Sequence, residues 1–150
     1  MDKPALCFLG YGISLTKRSK PNHYINAVRE QQVCSLELAK RLKELGAKQE
    51  SLFWWVDLYV DGRQIDWIVV PESEVKDYKV DEPLSAFTVA ELGKMLPLEN
   101  VYPNIIKTVE LNNTWCINLT AHHQDHAGTE ADARAKMLVY LIERELILVQ

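Results

Sequence analysis

Histidine is concentrated in one short stretch of this chain, His122-His123-Gln124-Asp125-His126, which holds three of its four histidines and also an aspartate. Both residue types are common ligands for zinc and other first-row metals. A site made of His122, Asp125 and His126 could bind a divalent transition metal and activate a water molecule for hydrolysis. The spacing matches no specific metal motif, H-E-x-x-H included. The simpler interpretation, which we prefer, is a His-rich surface loop that holds no metal.

A second group with possible chemistry lies in a predicted hairpin. Two apolar runs, 52–60 and 63–70, flank Asp61-Gly62, a dipeptide that favours a two-residue turn. The register set by this turn places Asp57 opposite Asp66, and paired carboxylates can bind a metal or share a proton. Two other interpretations stay open: both carboxylates point to water, or a bulge or longer loop shifts the register.

The same register divides the hairpin into two faces. One face is predicted to supply the core, through the facing pairs Leu58 and Ile65, Val56 and Trp67, and Trp54 and Val69. The other face carries Phe53 and Trp55 beside the two aspartates. Large apolar groups beside polar ones indicate either a second packed layer or an exposed contact surface. On the second interpretation, Phe53, Trp55, Asp57 and Asp66 form a candidate binding surface.

Composition limits the class of protein. The 150 residues are 47% hydrophobic and 25% charged, as in one ordinary globular domain. No apolar run approaches the roughly 18 residues that span a bilayer, and the start does not resemble a signal peptide. We therefore expect a cytoplasmic protein with no membrane partner. The net charge of −4 disfavours nonspecific binding to nucleic acid.

The three cysteines, Cys7, Cys34 and Cys116, are widely separated and include no C-x-x-C pair. An odd, sparse set predicts reduced thiols and not a disulfide framework or a zinc site. None has a basic side chain beside it in the sequence, so the sequence gives no support to a catalytic cysteine.

Three helices are predicted from their cap residues. Ser35 and Gly46 bracket the first, while Thr88 and Glu91 form a capping box at the start of the second. Thr129 caps the third, whose apolar stripe comprises Ala131, Ala135, Leu138, Leu141 and Ile142.

The remaining segments complete the predicted organisation. Residues 1–30 are predicted to be irregular, and residues 71–87 to form an exposed acidic connector. A second hairpin is predicted from strands 104–111 and 114–121, which turn at two asparagines. Residues 146–149 are short and apolar, and they predict either a final strand or a tail packed on the core.

Three blocks of the sequence resemble small proteins encoded by phages, prophages and other mobile elements of bacteria. They are Gln49–Val56, Ser85–Pro97, and the closing helix from Thr129 with its TEADARAKMLxYLIE pattern. The resemblance covers roughly residues 33–147. It implies a phage or prophage setting, and because most of these proteins have no known function it implies no catalytic residue.

These observations predict a single α+β domain over residues 1–150. We expect two hairpins in one antiparallel sheet, with two or three helices packed on one face. The leading hypothesis is a noncatalytic protein-binding module without a cofactor, whose partner is a host or phage protein. The alternative is a small metal-dependent hydrolase that uses the 122–126 cluster. A third hypothesis is a homo-oligomer that pairs through residues 146–149.

Overall fold

The computed structural model describes residues 23–60, 62–78, 80, 82–96, 106–119 and 123–148. Within them, the helices are α1 (His23–Glu30), α2 (Leu36–Glu44), α3 (Glu72–Val75), α4 (Val89–Met95) and α5 (Glu130–Glu143). The strands are β1 (Phe53–Val60), β2 (Arg63–Pro71), β3 (Leu84–Ser85), β4 (Ile106–Leu111), β5 (Thr114–Leu119) and β6 (His123–Ala127). No helix among the described residues is long and apolar enough to cross a membrane.

The strands form two antiparallel sheets, which confirms the α+β class. The first sheet has the order β2-β1-β3 and the second has the order β4-β5-β6. Both predicted hairpins are present, but they lie in separate sheets and not in the single sheet expected. Each hairpin gains a third strand, β3 from the predicted connector and β6 from the predicted His-rich loop.

A β-bulge sets the register of the first hairpin. Leu58 pairs with Asp66 and Tyr59 pairs with Gln64, so Ile65 is an extra residue in β2. A one-residue shift moves every side chain beyond it to the other face of the sheet. Asp57 is consequently opposite Trp67, and the predicted Asp57–Asp66 pairing is wrong. The bulge that the sequence left open as an alternative is the correct interpretation.

Both faces of the first hairpin are buried. Trp55 and Val69 belong to the main hydrophobic core, together with side chains from α2, α4 and α5. Val56, Ile68 and Val70 form a smaller core on the opposite face. The smaller core is covered in part by Val75, Tyr78 and Val80. Part of the predicted exposed connector therefore packs on the sheet, and residues 84–87 of it are buried.

The predicted irregular N-terminal segment contains α1, which packs beside β2. Asn26 Oδ1 accepts a hydrogen bond from the main-chain N–H of Val69 at 2.9 Å, and Arg29 Nη1 donates to the Val69 carbonyl at 3.3 Å. Its other side exposes Tyr24, Ile25 and Val28. The two side chains that contact β2, Asn26 and Arg29, are polar and form hydrogen bonds with its main-chain N–H and C=O groups.

Helix α5 supplies much of the main core. Thr129 is its N-cap, with the hydroxyl accepting from the N–H of Asp132 at 3.1 Å, as predicted. Its buried side chains are Ala131, Ala133, Ala135, Met137, Leu138 and Leu141. Small residues near the start of a helix allow close approach of neighbouring elements, and α5 contacts α2, α4 and all three strands of the second sheet.

Candidate functional site

The four residues predicted to form a binding surface do not share one. Trp55 is 6% exposed, and its indole Nε1 donates to the Cys34 carbonyl at 3.1 Å. Phe53 is half-buried against the same core. Asp57 lies on the Trp55 face and is half-buried, whereas Asp66 lies on the opposite face and is exposed. The surface interpretation of Trp55 is corrected: it belongs to a packed layer, the other interpretation of this face.

The residues predicted to bind a metal are distributed over the two faces of β6. His123 and Asp125 point toward α5, because they pair across the ladder with Leu119 and with the core residue Ile117. His126 is adjacent to Asp125 in the strand and therefore points to the other face. His122 lies outside the described residues. Within the described chain, no group of three or more His, Cys, Asp or Glu side chains could hold a metal ion.

On the helix side, His123 links β6 to α5. Its Nε2 lies 2.9 Å from Asp125 Oδ2, and its ring stacks on that of Tyr140 with centroids 3.5 Å apart and planes 2° from parallel. The Arg144 guanidinium lies over the Tyr140 ring, with its Cζ 5.7 Å from the ring centroid. All of these contacts are made within the protein, so this half of the His cluster has a structural role.

The other face of the second sheet, which we call the outer face, carries a different pair. Cys116 in β5 is directly opposite His126 in β6, and Sγ lies 3.0 Å from Nδ1. Val109 is opposite Cys116 on the other side, in β4. An imidazole nitrogen at this distance can take the proton of a thiol. Sequence reasoning missed the pair because it treated His126 as part of a loop.

The described strands leave four sheet edges, and three of them have a described side chain hydrogen-bonded to their main chain. Asn26 and Arg29 serve β2, as described above. Gln49 Oε1 accepts from the Ser85 N–H of β3 at 3.0 Å, and Lys136 Nζ donates to the His126 carbonyl of β6 at 2.7 Å. Natural sheets commonly protect their edges in this way, because unpaired main-chain groups attract other strands.

Strand β4 is the fourth edge, and no described side chain is hydrogen-bonded to its main chain. It joins β5 through Asn112 and Asn113, whose φ values of 52° and 59° are those of a tight type I′ turn. The hydrogen-bonded pairs of such a hairpin alternate from the turn, so the N–H and C=O of Glu110 point away from β5. Val109 is 41% exposed and Leu111 is 57% exposed, both on the outer face.

Within the part of the chain that the structure describes, the outer edge of β4 thus combines main-chain groups without a partner, two exposed apolar side chains and an exposed carboxylate. Glu110 is opposite Trp115, so it lies on the helix side of the sheet, away from Val109 and Leu111. The sequence did not predict this edge, because which strand lies at an edge depends on the order of strands in the sheet.

Comparison with protein-family models, curated proteins and solved structures finds no match to this chain.

Proposed function

We propose that this protein is a noncatalytic binding module that takes up an extended segment of a partner protein as a fourth strand beside β4. The proposal rests on a contrast between the sheet edges. A side chain is hydrogen-bonded to the main chain of β2, of β3 and of β6, whereas no described side chain is hydrogen-bonded to the main chain of β4. Strand addition obtains its affinity from main-chain hydrogen bonds and its specificity from alternate side chains.

The two faces of β4 define the chemistry of the partner. A strand added at this edge places every second side chain beside Val109 and Leu111, where apolar residues are favoured. The intervening side chains lie on the side of Glu110, where a lysine or arginine is favoured. The partner is therefore a segment that alternates apolar and basic residues. A second copy of this chain fits less well, because residues 51–150 carry a balance of −8.

The biological setting belongs to the same proposal. The resemblance of three sequence blocks to phage and mobile-element proteins supports an origin in a mobile element and a cytoplasmic host or phage protein as partner. Phage or prophage genes on both sides of its gene would strengthen this origin, and a neighbourhood of housekeeping genes would argue against it.

The test uses a short fluorescent peptide of alternating valine and lysine as the probe, with binding followed by anisotropy. We expect saturable binding that Glu110→Lys weakens by about 1 kcal/mol, or about fivefold in Kd. Glu72→Lys is the matched control, because Glu72 is an exposed carboxylate at the first sheet, and it should change the Kd little beyond the general effect of charge.

A second peptide separates strand addition from charge attraction. It has the same side chains, but alternate amides are N-methylated and cannot donate to β4. Equal binding of both peptides would reduce the interaction to electrostatics and contradict the proposal. Absence of binding, together with a dimer in light scattering that Glu110→Lys alters, would instead assign the edge to a second copy of the chain.

A further inference from the structure

Cys116 and His126 form a pair that the binding function does not use. They are cross-strand neighbours on the outer face of the second sheet, Cys116 in the central strand β5 and His126 in the edge strand β6, with Sγ and Nδ1 3.0 Å apart. The main chain at His126 is held by Lys136, whose Nζ donates to the His126 carbonyl at 2.7 Å. The base is thus placed beside the thiol by the ladder and by a contact from α5.

Cys34 provides the contrast within the same molecule. It is fully buried in the main core, and burial raises the pKa of its thiol to about 12. The nearby carboxylates of Asp132 and Glu91 contribute in the same direction. Only the thiolate attacks an electrophile, so Cys34 is expected to be inert.

We propose that Cys116 is a nucleophilic thiol that exchanges with low-molecular-weight disulfides, with His126 as its base. In the exchange, His126 takes the thiol proton and Cys116 Sγ attacks one sulfur of the disulfide. The disulfide bond of the small molecule breaks as the new one forms. The leaving thiolate receives the proton from His126, so no external oxidant is required beyond the disulfide itself.

Cys116 lies between two exposed neighbours in the ladder. Cys116 is 3% exposed, but its cross-strand neighbours Val109 and His126 are both exposed on the outer face. The proposal requires that movement of these exposed side chains opens a path to the sulfur while the strands stay paired. Rotamer changes of exposed side chains take picoseconds to nanoseconds, so they do not limit an exchange reaction.

The experiment treats the folded, full chain with dithiodipyridine and follows the adduct on each cysteine-containing peptide by mass spectrometry. We expect Cys116 to be modified in the folded protein and Cys34 to remain unmodified. His126→Gln keeps a hydrogen-bond acceptor beside Sγ but cannot take the proton, and it should slow modification of Cys116 at least about tenfold. His123→Gln is the matched control, because His123 lies on the opposite face, and it should leave the rate unchanged.

Two results would overturn the proposal. One is modification of Cys116 only after denaturant has unfolded the chain. The other is the same rate in His126→Gln and the unsubstituted protein, which would make the contact a purely structural hydrogen bond. Urea titration of each variant shows that the fold is retained, and Cys116→Ser confirms that the fast adduct resides on this residue.

Discussion

Asp132 Oδ1 accepts a hydrogen bond from the main-chain N–H of Ser35 at 2.6 Å, across 97 positions of sequence. The first turn of α5 therefore caps the first turn of α2. Ser35 was predicted to cap α2 with its own hydroxyl, but its side chain makes no such bond. The Ser35 N–H at the start of α2 is instead bonded to the carboxylate of Asp132, whose negative charge is also favoured at a helix N-terminus.

This relationship predicts different costs for two neighbouring substitutions. Asp132→Ala removes the acceptor of Ser35 and should lower the free energy of unfolding by about 1–2 kcal/mol. Ser35→Ala removes a hydroxyl that makes no cap bond and should cost less than about 0.5 kcal/mol. Urea titrations of the two variants measure the difference. A larger loss in Ser35→Ala would show that the cap is the hydroxyl after all.

Burial of Trp55 predicts that its truncation damages the fold. Trp55→Ala opens a cavity in the main core and should lower the free energy of unfolding by about 3–5 kcal/mol. Leu52→Ala is the control, because Leu52 is 63% exposed, and it should change stability by less than about 0.5 kcal/mol. Circular dichroism at increasing urea concentration measures both. A Trp55→Ala variant as stable as the unsubstituted protein would contradict the burial of Trp55 in the core.

Glu91 predicts a loss of stability in acid. Burial raises the pKa of its carboxyl, but hydrogen bonds from Thr88, the Leu52 N–H and Ser51 outweigh burial and leave the pKa below its usual 4.5. A carboxylate whose pKa is lower in the folded than in the unfolded chain stabilises the fold at pH values above its unfolded-state pKa of 4.5. That contribution disappears as the pH falls through the lower, folded-state pKa.

The measurement is the urea midpoint as the pH is lowered from neutral. The unsubstituted chain should lose stability over the window below 4.5, and Glu91→Gln should flatten that loss. Glu82 serves as the control: Lys43 lowers the pKa of its carboxyl too, but the pair is exposed. Its effect should vanish in high salt, whereas that of Glu91 should persist. An acid limb of unchanged slope in Glu91→Gln would contradict the assignment.

The stacked rings of His123 and Tyr140 predict an energetic coupling between β6 and α5. In a double-mutant cycle, His123→Ala and Tyr140→Ala should show a coupling of about 0.5–1.5 kcal/mol. Leu52→Ala, beside the other sheet, should be additive with His123→Ala within about 0.5 kcal/mol. If the effects of His123→Ala and Tyr140→Ala on stability were additive, the stacking of the two rings would contribute no stability.

Helices α2, α4 and α5 were predictable because their signals are local, whereas α1 and α3 lie in segments that were predicted to be irregular or a connector. Thr88 and Glu91 form the capping box that their spacing indicated, and Thr129 caps α5 as its position indicated. The register of the first hairpin was not predictable, because the extra residue, Ile65, is an exposed apolar side chain in an otherwise regular alternation. Nothing in the sequence distinguishes such a residue from one that belongs to the ladder.

The candidate sites were harder to predict for a related reason. Residues 123–127 are mostly polar, so they lack the apolar alternation that marks a strand, and only pairing with β5 makes them one. That pairing separates Asp125 from His126 and brings His126 to Cys116. The burial of Trp55 and the exposure of β4 likewise depend on which elements pack together, which is a property of the whole chain.

The central position of α5 has a consequence for synthesis of the protein on the ribosome. Its side chains complete the main core, and Asp132 completes the start of α2, yet α5 is made after every other described element. At about 5–20 residues per second, the ribosome needs roughly 5–20 s to pass from Ser35 to Asp132. Leu42, Phe87 and Leu92 are made within that interval, and from then until its end they have no α5 to pack against. Nascent chains should therefore bind chaperones until α5 emerges, and release should coincide with its emergence.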